Sequence, residues 1–165
     1  MKNLQLKIKF DDKLKHDSSL SLIKEYYTNL EINNSISVYN DDSGLDLPIP
    51  VTTICDKPFS VHKVNFLISC VMEDLDTGEI LPYYIYPRSS IYKHPVMLAN
   101  HVGIIDKNYR GNLQAPIRFF EEYTLQQNLK LFQICSNDLT PFKIKIVDHL
   151  DSTDRGTNGF GSTGL

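Results

Sequence analysis

The 165-residue chain has no tryptophan, only three cysteines and no surplus of positive charge. Each shortage removes a class of function. A formal charge of −3 gives no footprint for a non-specific nucleic-acid binder, which is normally basic. No nucleic-acid partner is expected, and an anionic ligand has to be held by local groups. Cys55, Cys70 and Cys135 are odd in number and lack metal-ligand spacing, and no secretory leader is read ahead of them. They are expected to be reduced thiols, mostly in the core, of an intracellular protein in the cytoplasm or nucleus. His16, His62, His94, His101 and His149 are scattered without an HxxxH pair, which argues against a protein-held zinc site. The longest apolar stretch, around Val64 to Met72, is interrupted by Asn65 and Ser69 and falls far short of a membrane span.

What is present is the texture of an all-β protein: abundant Tyr and Phe, and short β-branched runs separated by Gly, Pro, Asn and Asp. Leu4, Leu6, Ile8 and Phe10 alternate with polar residues, a period of two that predicts a half-buried opening strand. Ser18 to Leu30 fits a short helix, with Leu20, Ile23, Tyr27 and Leu30 on one side, or a long surface insertion. Further strands are expected at Ile36 to Val38, Phe59 to Met72, Ile80 to Tyr86, Leu113 to Phe120, Lys130 to Ser136 and Phe142 to Val147, with turns at Asp42-Ser43-Gly44, Asp76-Thr77-Gly78, Arg110-Gly111-Asn112 and Leu139-Thr140-Pro141. This predicts a jelly-roll-like or distorted β-barrel. One domain over residues 1–150 is expected, with residues 11–40 an insertion and 151–165 a flexible arm. Pro116 interrupts an otherwise continuous strand, so an irregularity is expected there.

Five segments carry mixtures that plain core strands do not need. The glycine-rich tail, Arg155 to Gly164, combines an arginine, Phe160 and two hydroxyls. Its glycines allow backbone N–H groups to approach a ligand, and Arg155, Ser162 and Thr163 can donate to phosphate oxygens. It equally fits a disordered Gly/Ser terminus, and it lacks the lysine of a Walker-type loop. Ser43-Gly44-Leu45-Asp46-Leu47 pins a carboxylate between apolar residues, as a simple turn Asp also would. Pro87-Arg88-Ser89-Ser90 suits a phosphate or a surface turn. Asn100 to Leu113 describes a hairpin with Asp106 and Tyr109 projecting from its tip. Gln133 stands alone among apolar residues in Lys130 to Ile134, as a solvent-facing strand residue does.

Taken in order, these segments resemble the five motifs of the homotrimeric dUTP diphosphatase (dUTPase) family. RGTNGFGSTG is close to its last motif and NHVGIIDKNYRGNL to its third. PRSS resembles its PRSG, and SGLDL its AGxDL. The fourth, GDRIAQL in the family, is degraded here to Asn128-Leu129-Lys130-Leu131-Phe132-Gln133-Ile134. The resemblance implies hydrolysis of dUTP to dUMP and pyrophosphate by water attack on the α-phosphorus. It assigns Asp106 to the attacking water. It assigns Mg²⁺ to the phosphates, with Asp46 acting through metal-bound water. Arg88, Ser89, Ser90 and Gln133 would hold phosphate oxygens. Asn100, Gly103 and Ile105 would present the uracil edge with main-chain groups, and Tyr109 would pack under deoxyribose. Arg155, Gly161, Ser162 and Thr163 would close over the γ-phosphate while Phe160 stacks on the base. Homotrimers with shared active sites are implied.

Two other readings fit part of the pattern. Ser89-Ser90 is similar to the RSS of dCTP deaminase, on the same fold. That chemistry needs a glutamate where this chain has Leu113-Gln114-Ala115-Pro116-Ile117. A catalytically idle homologue serving as an interaction protein is the other, motivated by the eroded fourth motif.

Overall fold

The computed structural model describes residues 2–36, 42–157 and 159, and of residues 34–36 the backbone alone. The alternation at the start becomes strand β1 (Leu4–Phe10), whose four apolar side chains are buried. Helix α1 (Asp12–His16) follows, capped by the Asp11 carboxylate, which accepts the Lys13 N–H at 2.9 Å. A 3₁₀ turn (Ser18–Leu20) leads into α2 (Ser21–Ile36). The remaining regular elements are almost all strands: β2 (Gly44–Pro48), β3 (Thr53–Cys55), β4 (Val61–Asn65), β5 (Ile68–Asp74), β6 (Ile80–Leu81) and β7 (Tyr83–Pro87) precede a 3₁₀ segment at Ser89–Lys93. Then come β8 (Val96–Leu98), β9 (Gly103–Ile105), β10 (Gln114–Phe119), β11 (Tyr123–Leu125), β12 (Lys130–Ser136) and β13 (Phe142–Val147).

These strands form the expected jelly-roll-like barrel from four sheets, ordered β13-β1-β5-β6, β4-β10-β8, β11-β3 and β2-β12-β7-β9. β1 is central in its sheet, antiparallel to β5 (Leu4↔Asp74) and parallel to β13 (Leu4↔Phe142). The inner faces converge on one core in which Leu6, Ile8, Phe66, Leu113, Phe119 and Phe132 are wholly buried. All three cysteines are buried and unpaired, as expected. Among the described residues no helix is long and apolar enough to cross a membrane.

Several local expectations are corrected. The helix does bury Ile23 and Tyr27, but it runs on to Ile36, where a strand was expected; residues 37 and 38 lie outside those described. No Gly or Pro interrupts it, and the Glu31 carboxylate near its end accepts the Ile146 N–H at 2.8 Å, satisfying a donor on the edge strand β13. Phe59 to Met72 is two strands in different sheets. Leu67 adopts φ 59° and its N–H is taken by Asn65 Oδ1 at 2.9 Å, a side-chain-stabilised turn that apolar composition conceals. Pro82 likewise divides Ile80 to Tyr86 into β6 and β7.

Pro116 causes no irregularity. β10 keeps its register with β4 through Pro116↔Lys63, while the β8 ladder starts at Ile117↔Leu98. The Pro116 carbonyl accepts the Ala99 N–H at 2.7 Å. The missing donor thus falls at the end of the β8 ladder, where nothing requires it. The irregularity lies in β12, where the register with β2 shifts between Lys130 and Phe132. Asn100 to Leu113 is not a hairpin either, because β9 pairs with β7 and β10 with β4 and β8. The segment is a crossover between sheets.

Candidate active site

The cross-strand register of β2, β12 and β7 assembles a first cleft of about 480 Å³. β12 sets Gln133 opposite Asp46 on one side and Phe132 opposite Pro87 on the other. Three segments distant in sequence therefore meet at one sheet end. Arg88, just past β7, places Nε 2.8 Å from Asp46 Oδ1 and donates through Nη1 to the Lys130 carbonyl at 2.9 Å. Gln133 donates to the Pro87 carbonyl at 3.3 Å. Its amide lies against Gly44, where an added Cβ would come within 2.2 Å of Oε1, so this strand position needs glycine for close approach. Ser89 lines the cleft; Ser90 sits in the same 3₁₀ turn without lining it. Burial raises the Asp46 carboxyl above its ordinary value; the Arg88 and Lys130 cations oppose that and Asp42 adds to it.

A second cleft, about 190 Å³, is built on β9 and the turn that follows. Asn100, Gly103, Ile105, Asp106 and Tyr109 line it, together with Arg155 and Gly159 from the tail. The Asp106 carbonyl accepts the Tyr109 N–H at 3.0 Å, closing the turn that projects both side chains. Tyr109 is held from behind: its hydroxyl donates to the Asn112 carbonyl at 2.8 Å. At Gly111 an added Cβ would fall 2.5 Å from that hydroxyl. Burial pushes the Tyr109 phenol upward, with Arg155 opposing, so it stays a neutral donor.

The start of the tail is fastened to this second cleft within the same chain. Arg155 ion-pairs with Asp106. The Arg110 guanidinium takes both oxygens of Asp151, at 2.9 and 3.1 Å, and Arg110 N–H donates to the Gly156 carbonyl at 2.8 Å. Phe160, Gly161, Ser162 and Thr163 lie outside the described residues. Every other predicted site residue except Ser90 lines one of the two clefts, and none of the described residues lines both.

Carboxylate, arginine and glutamine from the first, second and fourth motifs stand in one cleft, and aspartate and tyrosine from the third stand in the other with Arg155 of the fifth. The family model described as dUTPase matches residues 31–164. The chain belongs to the dUTPase family. Among its dUTPase relatives are deoxyuridine 5'-triphosphate nucleotidohydrolases of Shewanella loihica, 39% identical over 74% of this chain and 80% of that one, and of Baumannia cicadellinicola, 36% identical over 74% and 81%. The fold is similar to that of a solved dUTPase from Staphylococcus bacteriophage 80alpha: TM-score 0.50, 16% identity, 78% of this chain and 90% of that chain.

Within this dUTPase the degraded fourth motif begins in a left-handed turn. Asn128 stands where the motif has glycine and adopts φ 67°, a left-handed conformation that asparagine tolerates better than most residues. Among the described residues no three His, Cys, Asp or Glu side chains cluster as a metal cage. Asp46, with Asp42 also lining the first cleft, suits Mg²⁺, which keeps its waters, uses few carboxylates and takes other ligands from substrate phosphates. Sequence reasoning missed Tyr26, Leu30 and Lys130 in the first cleft and Ile104 and Gln114 in the second. Lys130 was visible as the basic residue of the fourth motif; nothing in the sequence pattern brings Tyr26 to Asp46.

Proposed function

We propose that this dUTPase hydrolyses dUTP to dUMP and pyrophosphate in an active site made from both clefts, the first holding phosphates and the second holding the nucleoside and the attacking water. The observation that supports it is the division itself: Asp46, Arg88, Ser89 and Gln133 stand in one cleft and Asp106 with Tyr109 in the other. Water attacks the α-phosphorus in line with the departing pyrophosphate, breaking the P–O bond between them. Asp106 orients that water and takes its proton. A carboxylate is a weak base at neutral pH, so positioning and charge stabilisation supply most of the acceleration.

Asp46 is the side chain that would hold Mg²⁺, through water; the bound ion neutralises phosphate charge. Arg88, Ser89 and Gln133 donate to phosphate oxygens. Main-chain groups at Asn100, Gly103 and Ile105 read the uracil edge. A cytosine would leave polar atoms unpaired and a thymine would add a methyl. Tyr109 packs under deoxyribose and excludes a 2′-OH. Arg155 moves from Asp106 onto the γ-phosphate as the arm closes, with Phe160 stacking on the base and Gly161, Ser162 and Thr163 around the phosphate. A homotrimer brings the first cleft of one subunit to the second cleft of its neighbour.

Pyrophosphate release measured across dUTP, dTTP, dCTP and UTP tests the reading. The expected result is Mg²⁺-dependent release from dUTP with the others far slower. Ammonia release from dCTP would replace it with deamination. No release from any nucleotide would replace it with the idle homologue.

A further inference from the structure

Helix α2 belongs to a segment outside the motifs, yet it reaches the first cleft. Its docking depends on Ile23 and Tyr27, both wholly buried, with the Tyr27 ring tilted against Phe10 at 6.0 Å. The adjacent Tyr26 points elsewhere. It lines the first cleft with Leu30, its hydroxyl donates to the Asp46 carbonyl at 3.2 Å, and its ring face lies 3.8 Å from the Lys130 ammonium. Lys130 lines the same cleft, and its own carbonyl is held by Arg88. One phenol thus touches both the main chain of Asp46 and the Lys130 ammonium.

A lysine on a flexible four-carbon stem is a poor phosphate ligand until something limits its rotamers. An aromatic face does so while leaving ammonium protons for an anion. From this geometry we infer that Tyr26 of helix α2 is a positioning residue of the phosphate cleft, holding the Lys130 ammonium towards the triphosphate. The inference rests on the first cleft being the phosphate site. It adds the helix to that site: the wall made by α2 sets cleft charge as well as shape. Tyr26 is half-buried and burial pushes its phenol well above the ordinary value, so it remains a neutral donor throughout the working range.

The test compares wild type, Tyr26→Phe, Tyr26→Leu, Lys130→Met and the Tyr26→Leu/Lys130→Met double variant. Calorimetry measures binding of inorganic tripolyphosphate and, separately, of deoxyuridine; turnover and thermal unfolding are followed in parallel. Tyr26→Leu is expected to weaken tripolyphosphate binding by roughly five- to tenfold, the scale of a partly desolvated cation–π contact. Deoxyuridine binding should be unchanged and the salt dependence of tripolyphosphate binding shallower. Tyr26→Phe, which keeps the ring face, should lose less. The double variant should bind as weakly as Lys130→Met alone, because Tyr26 acts through Lys130; a merely structural role gives multiplied losses. Multiplied losses, or wild-type tripolyphosphate affinity in a folded Tyr26→Leu protein that still hydrolyses dUTP, would overturn the inference alone. Wild-type protein that hydrolyses dUTP without binding tripolyphosphate would overturn the phosphate reading of the cleft and the inference with it.

Discussion

The two clefts are organised on opposite principles. In the first, side chains are held by a sheet: Asp46 and Gln133 face each other across β2 and β12, and Arg88 joins them from the end of β7. In the second, a crossover turn is held by its own hydrogen bonds and by the tail, through Asp106, Tyr109, Arg110 and Asp151. A ladder sets side chains rigidly, which suits a charged ligand whose oxygens need several donors at once. A turn fastened by a few surface contacts can open, which suits a step where an arm must leave and return. On the proposed function, the phosphate half would be preformed and the water half gated.

The strongest way to break that comparison is to remove the proposed base. Asp106→Asn should lower kcat by at least about a thousandfold while dUTP affinity changes little, since the amide keeps the shape and cannot take a proton. Wild-type kcat in pyrophosphate release would move the base elsewhere.

Next comes the question of whose tail completes the site. Asp106→Asn protein and a truncation after Asp154 are each expected to be inactive. After subunit exchange between equal amounts, about a quarter of sites should recover if Asp106 and the tail come from different chains of a symmetric trimer. Activity that stays at zero after verified exchange would make Arg155 a same-chain lid, in keeping with its pairing to Asp106 within one chain.

A smaller effect should distinguish the preformed half. Gly44→Ala puts a methyl where Gln133 Oε1 lies 2.2 Å away, so Gln133 must rotate out of the cleft. Affinity for tripolyphosphate should fall about tenfold, as one or two phosphate hydrogen bonds are lost, with deoxyuridine binding unaffected. Equal losses for both ligands would blur the two halves into one.

The smallest effect concerns the fastening of the gated half. The Arg110 hydrogen bonds lower the Asp151 carboxyl below the ordinary value of 3.8. A depressed carboxyl contributes stability in full above its unfolded value and loses it as pH falls through the folded one. The Arg110–Asp151 pair, exposed on its Asp151 side, should be worth about 0.5–1 kcal/mol. Wild type should therefore exceed Asp151→Asn by that amount near neutral pH in denaturant titrations. The gap should close only below pH 3.8. No gap at any pH would assign the fastening to the Arg110 backbone contact alone.

The fold was legible where β-branched, aromatic and other apolar residues run between turn signals. Lys130 to Ser136 and Phe142 to Val147 are strands with the predicted ends, and Leu4 to Phe10 buries the predicted face. It was illegible where a side chain redirects the backbone inside an apolar run, as Asn65 does at Leu67, because period and composition do not register a single hydrogen bond. Pro116 misled for the converse reason: its missing N–H matters only if a partner strand needs it, and the β8 ladder ends there.

By itself the sequence determined the chemistry available to this protein, since the order and content of the motifs name Asp46, Arg88, Asp106, Tyr109 and Gln133, and hydrogen-bonding and charge are properties of residue type. Only the tertiary structure decided how that chemistry is divided. Strand register placed Asp46 against Arg88 and away from the Asp106 cleft, and the docking of α2 brought Tyr26 to Lys130. Such long-range neighbours arise from sheet pairing and core packing, in which the whole chain takes part, and no local pattern of residues encodes them.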